Sequence, residues 1–201
     1  MKLLLFWPVF GIMFLFVERF YRVEYYHPMH CFLDDKIPFC EFFLIPYLFW
    51  FVFLIGIHLY TLMYDVDSFK KLMKYIIITY SAAIIIYLFF PTCQELRPLS
   101  FERSNIFTEF LKGFYVFDTN TNVCPSIHVI GSLAVMFTAW QTKGFESPKW
   151  KIAFGITALL ICMSTVFLKQ HSVLDLFAAL PICLIAYFIC FSKKGGQKNT
   201  A

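Results

Sequence analysis

Two histidines and an aspartate in the second half of the chain have the residue types that phosphoryl transfer requires. His171 and Asp175 are four residues apart, so at the start of a helix they stack on one face within hydrogen-bonding reach. An imidazole attacks phosphorus only when it is neutral and correctly oriented, and a carboxylate on its far nitrogen provides that orientation. We therefore predict His171 as the nucleophile of a phosphohistidine mechanism and His128 as the group that protonates the departing oxygen.

Three further residues have side chains suited to binding a phosphate. Pro125 favours the first turn of a helix, where free backbone N–H groups and the Ser126 hydroxyl form an anion site. Arg97 carries a planar guanidinium that matches phosphate oxygens, and Lys169 would add a point charge. Each is common as a structural residue, so the prediction depends on their coincidence near the two histidines.

The composition predicts an all-α integral membrane protein. Hydrophobic residues make up 60% of the chain and charged residues 15%, whereas ordinary globular chains carry about 25% charged residues. This excludes a nucleic-acid-binding protein, a secreted disulfide miniprotein and a disordered segment. The uncharged stretches predict six transmembrane helices in one bundle, at 3–17, 42–64, 75–94, 119–142, 152–168 and 176–192. The first stretch is short, but it lacks the cleavage site of a signal peptide, so we expect it to be retained.

The loops that alternate between six spans predict the orientation of the protein. With the N-terminus in the cytoplasm, ten lysines and arginines lie on the inner side and seven on the outer side. We expect one domain, 1–201, in the plasma membrane, with both termini and the tail 193–201 in the cytoplasm. The loops after spans three and five then share the outer face, which places Arg97, His128 and His171 there together.

Two outer loops are long enough to hold structure. In the loop 95–118, apolar residues recur near helical spacing, which predicts an amphipathic helix in the membrane interface between spans three and four. A short helix that caps the bundle would give the same pattern. The loop 18–41 contains acidic residues and histidines, but no regular element fixes their geometry, so we expect no metal site. These residues are His27, His30, Asp34, Asp35 and Glu41.

Four of the seven cysteines lie outside the predicted spans or at their ends. Cys31 and Cys40 lie in the first outer loop, and Cys93 and Cys124 flank the loop after span three. Two disulfides, or four free thiols, are compatible with this spacing, because pairing cannot be deduced from sequence.

Three motifs of this chain resemble those of the type 2 phosphatidic acid phosphatase superfamily. The sequence 125–128 resembles the second motif, 164–175 the third, and Arg97-Pro98 the end of the first. The resemblance covers spans three to six and implies the six-span membrane branch, with no metal and no cofactor. It implies that His171 is the nucleophile, Asp175 its orienting carboxylate, His128 the general acid, and Arg97, Ser126 and Ser164 phosphate ligands.

Two cationic positions differ from the usual motifs. Phe90 stands where the first motif has a lysine, and Thr165 where the third has an arginine. Lys169 is the candidate to replace one of them. In these two departures the chain resembles the lipid phosphotransferase branch, which keeps the two histidines and the aspartate but varies the cationic residues. This branch includes inositol phosphorylceramide and sphingomyelin synthases.

The function expected from these features is a metal-independent lipid-phosphate phosphohydrolase. Its substrates would be phosphatidic acid, phosphatidylglycerophosphate or a polyprenyl pyrophosphate, and its partners the bilayer and its lipids. The oligomeric state is left open. The alternatives are a headgroup phosphotransferase with the same histidine pair, and a lipid-binding or scramblase-like protein without turnover.

Overall fold

The computed structural model describes residues 2–192, so the predicted tail 193–201 lies outside the described residues. The protein is mostly helical (70%). Its α-helices are α1 (Phe6–Arg19), α2 (Phe32–Lys36), α3 (Leu44–Tyr64), α4 (Val66–Phe89), α5 (Ile106–Phe117), α6 (Ile127–Ala139), α7 (Pro148–Phe167) and α8 (Val173–Cys190). Short 3-10 helices at Lys2–Leu5 and Glu41–Phe43 precede α1 and α3, and two-residue strands form β1 (His27–Pro28) and β2 (Thr92–Cys93).

Among residues 2–192, four helices are long and apolar enough to cross a membrane. They are Glu41–Tyr64, Val66–Phe89, Pro148–Phe167 and Val173–Cys190. The helices α1 and α6 are shorter, with 14 and 13 residues. At about 1.5 Å per residue, α6 is only about 20 Å long, compared with a hydrocarbon layer of about 30 Å.

The helix boundaries differ from the predicted spans at two places where a charged residue does not mark the end of a helix. The predicted span 75–94 begins after Lys74, but α4 already begins at Val66, with Lys70 and Lys74 on its exposed side. Asp65 caps this earlier start, since its side chain accepts a hydrogen bond from the Ser68 N–H at 3.1 Å. The predicted span 119–142 shortens to α6, because the polar residues 119–126 form an irregular loop.

The interior of the helix bundle is aromatic and aliphatic. Tyr75, Tyr80, Ile130 and Ile161 are fully buried in a cluster to which α1, α3, α4, α6, α7 and α8 contribute. The outer surface is also apolar, with side chains more than half exposed. Examples are Ile12, Ile55, Leu159 and Ile185. An apolar surface of this extent suits lipid better than water, so several of these helices could span a membrane.

Three loops meet at one end of the bundle. Strand β1 pairs in parallel with β2, with His27 opposite Thr92. Thr92 also accepts a hydrogen bond from the Cys124 N–H on its side-chain oxygen, at 3.0 Å. The loop 20–40 between α1 and α3 (the first connecting loop) is therefore held to the segments after α4 and before α6. The candidate residues lie at this end of the bundle.

Candidate active site

The turn between α7 and α8 brings His171 against Asp175. The Nδ1 atom of His171 lies 3.0 Å from Oδ2 of Asp175, which is completely buried in the first turn of α8. The same carboxylate oxygen accepts a hydrogen bond from the Ser172 N–H at 3.0 Å, the reciprocal half of a capping box. An ionised carboxylate only accepts, so beside it a neutral His171 would carry its proton on Nδ1 and keep on Nε2 the lone pair that a nucleophile needs.

His128 lies beside His171 in the first turn of α6. The two ring centroids are 5.8 Å apart, at an angle of 65°. The rings of Tyr47 and Trp50 flank the His128 ring, each with its centroid 4.5 Å away. His128 is buried, and among residues 2–192 no group bonds to its Nδ1. An imidazole from α6 and one from the turn between α7 and α8 thus lie next to each other.

Both histidines line a small cavity of about 40 Å³. A volume of that size has room for a few water-sized groups, which is the scale of a phosphoryl group. Gln170 also lines the cavity and is 2% exposed, and within the described chain its Nε2 has no hydrogen-bond partner. This amide is a candidate donor to a bound oxygen.

Two carboxylates, Glu18 and Asp118, line the same cavity. Burial raises the pKa of Asp118 above its usual value, and the nearby Arg97 partly offsets this effect. Asp118 also accepts a hydrogen bond from the Tyr47 hydroxyl at 3.3 Å. Within residues 2–192, the cavity lining includes neither lysine nor arginine. Sequence reasoning missed both acids, since each was read only as a charge that ends a predicted span.

Arg97, predicted to be a phosphate ligand, is engaged elsewhere. Its guanidinium donates hydrogen bonds to the backbone carbonyls of Tyr115 (3.0 Å), Asp118 (2.8 Å) and Thr119 (2.9 Å), and also to Oε1 of Gln170. It also lies 4.6 Å from the centre of the Tyr115 ring. The hydrogen bonds of Arg97 therefore connect the end of α5 to the residue before His171, and Arg97 does not line the cavity.

The two predicted serine ligands also lie outside the cavity lining. Ser126 caps α6, and its backbone N–H donates to the Asp175 carbonyl at 3.2 Å. Its hydroxyl is buried and has no partner within residues 2–192. Ser164 donates to the Ile161 carbonyl at 2.6 Å, within its own helix. Ser126 thus joins the starts of α6 and α8, and the Ser164 hydroxyl proton is already used.

Lys169 is directed away from the histidine pair. Its ammonium donates to the carbonyls of Asp34 (2.7 Å) and Ile37 (2.5 Å) in the first connecting loop. Its backbone has a φ of 54°, which places it in the left-handed region. This placement does not favour the idea that Lys169 replaces a missing phosphate ligand.

We expect Lys169→Ala to lower stability without weakening phosphate binding. Losing the charged donor should reduce the free energy of unfolding by about 1–3 kcal/mol, and the KM for a lipid phosphate should stay nearly unchanged. Thermal melting and steady-state kinetics check this result, with Lys112→Ala as the control, because Lys112 pairs only with the exposed Glu109. A rise in KM of about tenfold at unchanged melting would restore Lys169 as a phosphate ligand.

The acidic and histidine side chains of the first connecting loop do not converge. His27 stacks on the Phe90 ring with centroids 4.1 Å apart, and His30 contacts the exposed Asp35 at 2.9 Å. Across residues 2–192, no group of three or more His, Cys, Asp or Glu side chains could hold a metal ion. All seven cysteines lie within this range and are free thiols in the structure.

The assembled site has the parts that a two-histidine phosphoryl transfer needs. One imidazole is oriented by a buried carboxylate, a second lies 5.8 Å away, and both face a cavity of phosphoryl size. No protein-family model, no curated protein and no solved structure matches the chain.

Proposed function

We propose that this protein is a membrane-bound lipid-phosphate phosphohydrolase that works through a phosphohistidine on His171. The observation that carries the proposal is the contact of His171 Nδ1 with Asp175 at 3.0 Å, with the His128 ring 5.8 Å away across one cavity. The resemblance of the three motifs to those of the type 2 phosphatidic acid phosphatase superfamily is a second support for the proposal.

In the first step, Nε2 of His171 attacks phosphorus while the bond from phosphorus to the lipid oxygen breaks. The electron pair of that bond leaves with the oxygen, which takes a proton from His128. In the second step, water attacks the phosphorus and gives a proton back to His128, while the bond between phosphorus and Nε2 of His171 breaks. The electron pair of that bond returns to Nε2, and inorganic phosphate is released. Asp175 stabilises the positive charge that His171 acquires when it is phosphorylated.

The proposed substrates are phosphatidic acid, phosphatidylglycerophosphate or a polyprenyl pyrophosphate. The small cavity supports binding of a phosphoryl group. Neither a metal nor a cofactor is part of the mechanism. The apolar outer surface of the helices would let the lipid tails remain in the bilayer.

The proposed membrane arrangement has six crossings. Besides the four long helices, α1 and α6 would each cross, with the polar residues at their ends completing the passage. The helix α5 would lie in the interface. We place the protein in the plasma membrane. The distribution of lysine and arginine supports cytoplasmic termini and a site on the outer face. The meeting of the site loops at one end of the bundle is compatible with this arrangement.

A headgroup phosphotransferase is the second candidate, and the charge of the cavity favours it. The carboxylates of Glu18 and Asp118 line the cavity, and in the described part of the chain no lysine or arginine does. A phosphomonoester carries between one and two negative charges at neutral pH, whereas a phosphodiester carries one. When the two acids are ionised, their repulsion is therefore smaller for a phosphodiester donor.

Product analysis of the detergent-purified protein tests both candidates. The substrates are phosphatidic acid, a polyprenyl pyrophosphate and a phosphodiester lipid, each labelled at phosphorus, in a chelator and with or without diacylglycerol. We expect free phosphate that depends on His171 and not on diacylglycerol. Label in a new lipid only when an acceptor is present would support the transferase. Absence of turnover with every substrate would contradict both enzymes and favour a lipid-binding protein.

A further inference from the structure

A carboxylate from the first connecting loop reaches the turn that carries His171. Asp34 lies in α2 and is 2% exposed. Its Oδ2 accepts hydrogen bonds from the Ser172 hydroxyl at 2.6 Å and from the Cys31 N–H at 2.8 Å. Its Oδ1 accepts from the Val173 N–H at 2.8 Å. Asp34 therefore caps the start of α8 although it is remote from that helix in the sequence.

The first N–H groups of α8 are divided among three acceptors. Ser172 N–H donates to Oδ2 of Asp175, Val173 N–H to Asp34, and Leu174 N–H to the Ser172 hydroxyl oxygen at 3.1 Å. The oxygen of Asp175 that serves Ser172 is also the one that contacts His171. Without Asp34, the Val173 N–H and the Ser172 hydroxyl would lose their acceptor, and Asp175 is the remaining carboxylate in this turn.

The hydrogen bonds also keep Asp34 ionised. Burial by itself would raise the pKa of this carboxyl, but the hydrogen bonds from Ser172, Val173 and Cys31 outweigh it and lower the pKa below its usual value. At neutral pH the group is therefore a charged acceptor, which makes stronger hydrogen bonds than a neutral one.

The same loop holds the other side of the turn. Lys169 donates to the carbonyls of Asp34 and Ile37, and the Cys40 N–H donates to the Phe167 carbonyl at 3.0 Å. The segment 31–40 thus contacts the chain both before and after His171. Its contacts fix the backbone of the turn as well as the start of α8.

We propose that Asp34 is a positioning residue for His171: by binding the Val173 N–H and the Ser172 hydroxyl, it reserves the Asp175 carboxylate for the imidazole. This inference rests on the proposed phosphohistidine mechanism and assigns a role in it to the first connecting loop. Asp34 itself touches neither the cavity nor the imidazole. Its effect on the reaction would pass through Ser172, Val173 and Asp175.

Four variants separate positioning from folding. Asp34→Ala removes both acceptor oxygens, and Asp34→Asn keeps one, which can still accept from Val173. Ser172→Ala removes the hydroxyl that donates to Asp34 and accepts from the Leu174 N–H. Asp35→Asn is the matched control, because Asp35 is the neighbouring carboxylate, is exposed and contacts only His30. Each variant is compared with the wild type for melting temperature, KM and the single-turnover rate of phosphohistidine formation.

We expect Asp34→Ala to slow phosphohistidine formation by about 10–100-fold, the usual range for partners that orient a reactive group, with KM nearly unchanged. Asp34→Asn should recover part of the rate, and Asp35→Asn should equal the wild type. In a double-mutant cycle, Ser172→Ala should add to Asp34→Ala only the effect of its lost bond to the Leu174 N–H, since both variants remove the hydrogen bond between Ser172 and Asp34. If Asp34→Ala does not fold, Asp34→Asn and Ser172→Ala provide the same comparison.

A readout that needs no turnover distinguishes failure of this inference from failure of the proposed function. The proton between His171 and Asp175 should give a low-field NMR signal, assigned by its loss in His171→Ala. We expect Asp34→Ala to remove or shift this signal and Asp35→Asn to leave it unchanged. An unchanged signal with an unchanged rate per folded molecule would overturn the role of Asp34. A wild-type protein that shows the signal but forms no phosphohistidine would overturn the proposed function instead.

Discussion

Replacing His171 with alanine is expected to abolish turnover, with a loss of at least about 10⁴-fold, the scale found when a nucleophile is removed. The reason is that no other imidazole in the cavity contacts a carboxylate: His128 lies between Tyr47 and Trp50, without a bond to its Nδ1 within residues 2–192. Initial rates of phosphate release, in detergent and at equal folded concentration, measure the effect.

The control for this variant is His30→Ala. His30 is exposed and contacts only Asp35, at 2.9 Å, so its loss should leave the rate unchanged. A His171→Ala protein that keeps the wild-type rate would contradict the covalent mechanism as a whole.

Changing Asp175 to asparagine is expected to lower turnover by about 10²–10⁴-fold, by analogy with the buried aspartate of a catalytic triad. The amide keeps the shape of the carboxylate but not its charge, so the phosphorylated imidazole loses its counter-ion. An amide N–H₂ turned towards Nδ1 would also move the proton to Nε2, which is the wrong tautomer for attack. Steady-state and single-turnover rates measure the loss.

Asp35→Asn again provides the matched change, since it removes a charge from an exposed carboxylate. A second test compares the change in KM with the change in kcat. If Asp175 acts by orienting and stabilising His171, then KM should change much less than kcat. A variant of Asp175 with a normal kcat and a raised KM would assign this carboxylate to substrate binding instead.

The pair of His171 and Asp175 could be predicted because its geometry is local. A spacing of four residues at a helix start determines which side chains can meet, and the structure places these two 3.0 Å apart. The placement of His128 needed a long-range argument from the parity of loops. In the structure its ring lies 5.8 Å from that of His171, although the count of six crossings remains a prediction.

The phosphate ligands were harder to predict, because long cationic side chains have several possible acceptors. Arg97 and Lys169 carry cationic hydrogen-bond donors, so their residue types predict that each binds an oxygen acceptor. The residue types do not predict which acceptor is bound, and in the structure both side chains donate to backbone carbonyls. The contacts of Asp34 and Glu18 could not be predicted either, because their hydrogen-bond partners lie far away in the sequence.

The lengths of the helices were predicted well only where charges coincide with helix ends. Uncharged polar residues such as Thr119, Asn120 and Asn122 pass a test based on charge, yet they are poor helix formers, and they form the loop before α6. Conversely, Lys70 and Lys74 lie within α4, because a helix can continue past the edge of a membrane into water.

The most direct test of the mechanism is a rapid-quench experiment with phosphorus-labelled lipid, followed by digestion and mapping of the labelled peptide. The quench must be alkaline, since phosphohistidine is lost in acid. The mechanism predicts transient label on the peptide that contains His171, formed and lost at rates compatible with turnover, and absent in His171→Ala. Turnover without label on His171, or label on another residue, would contradict it.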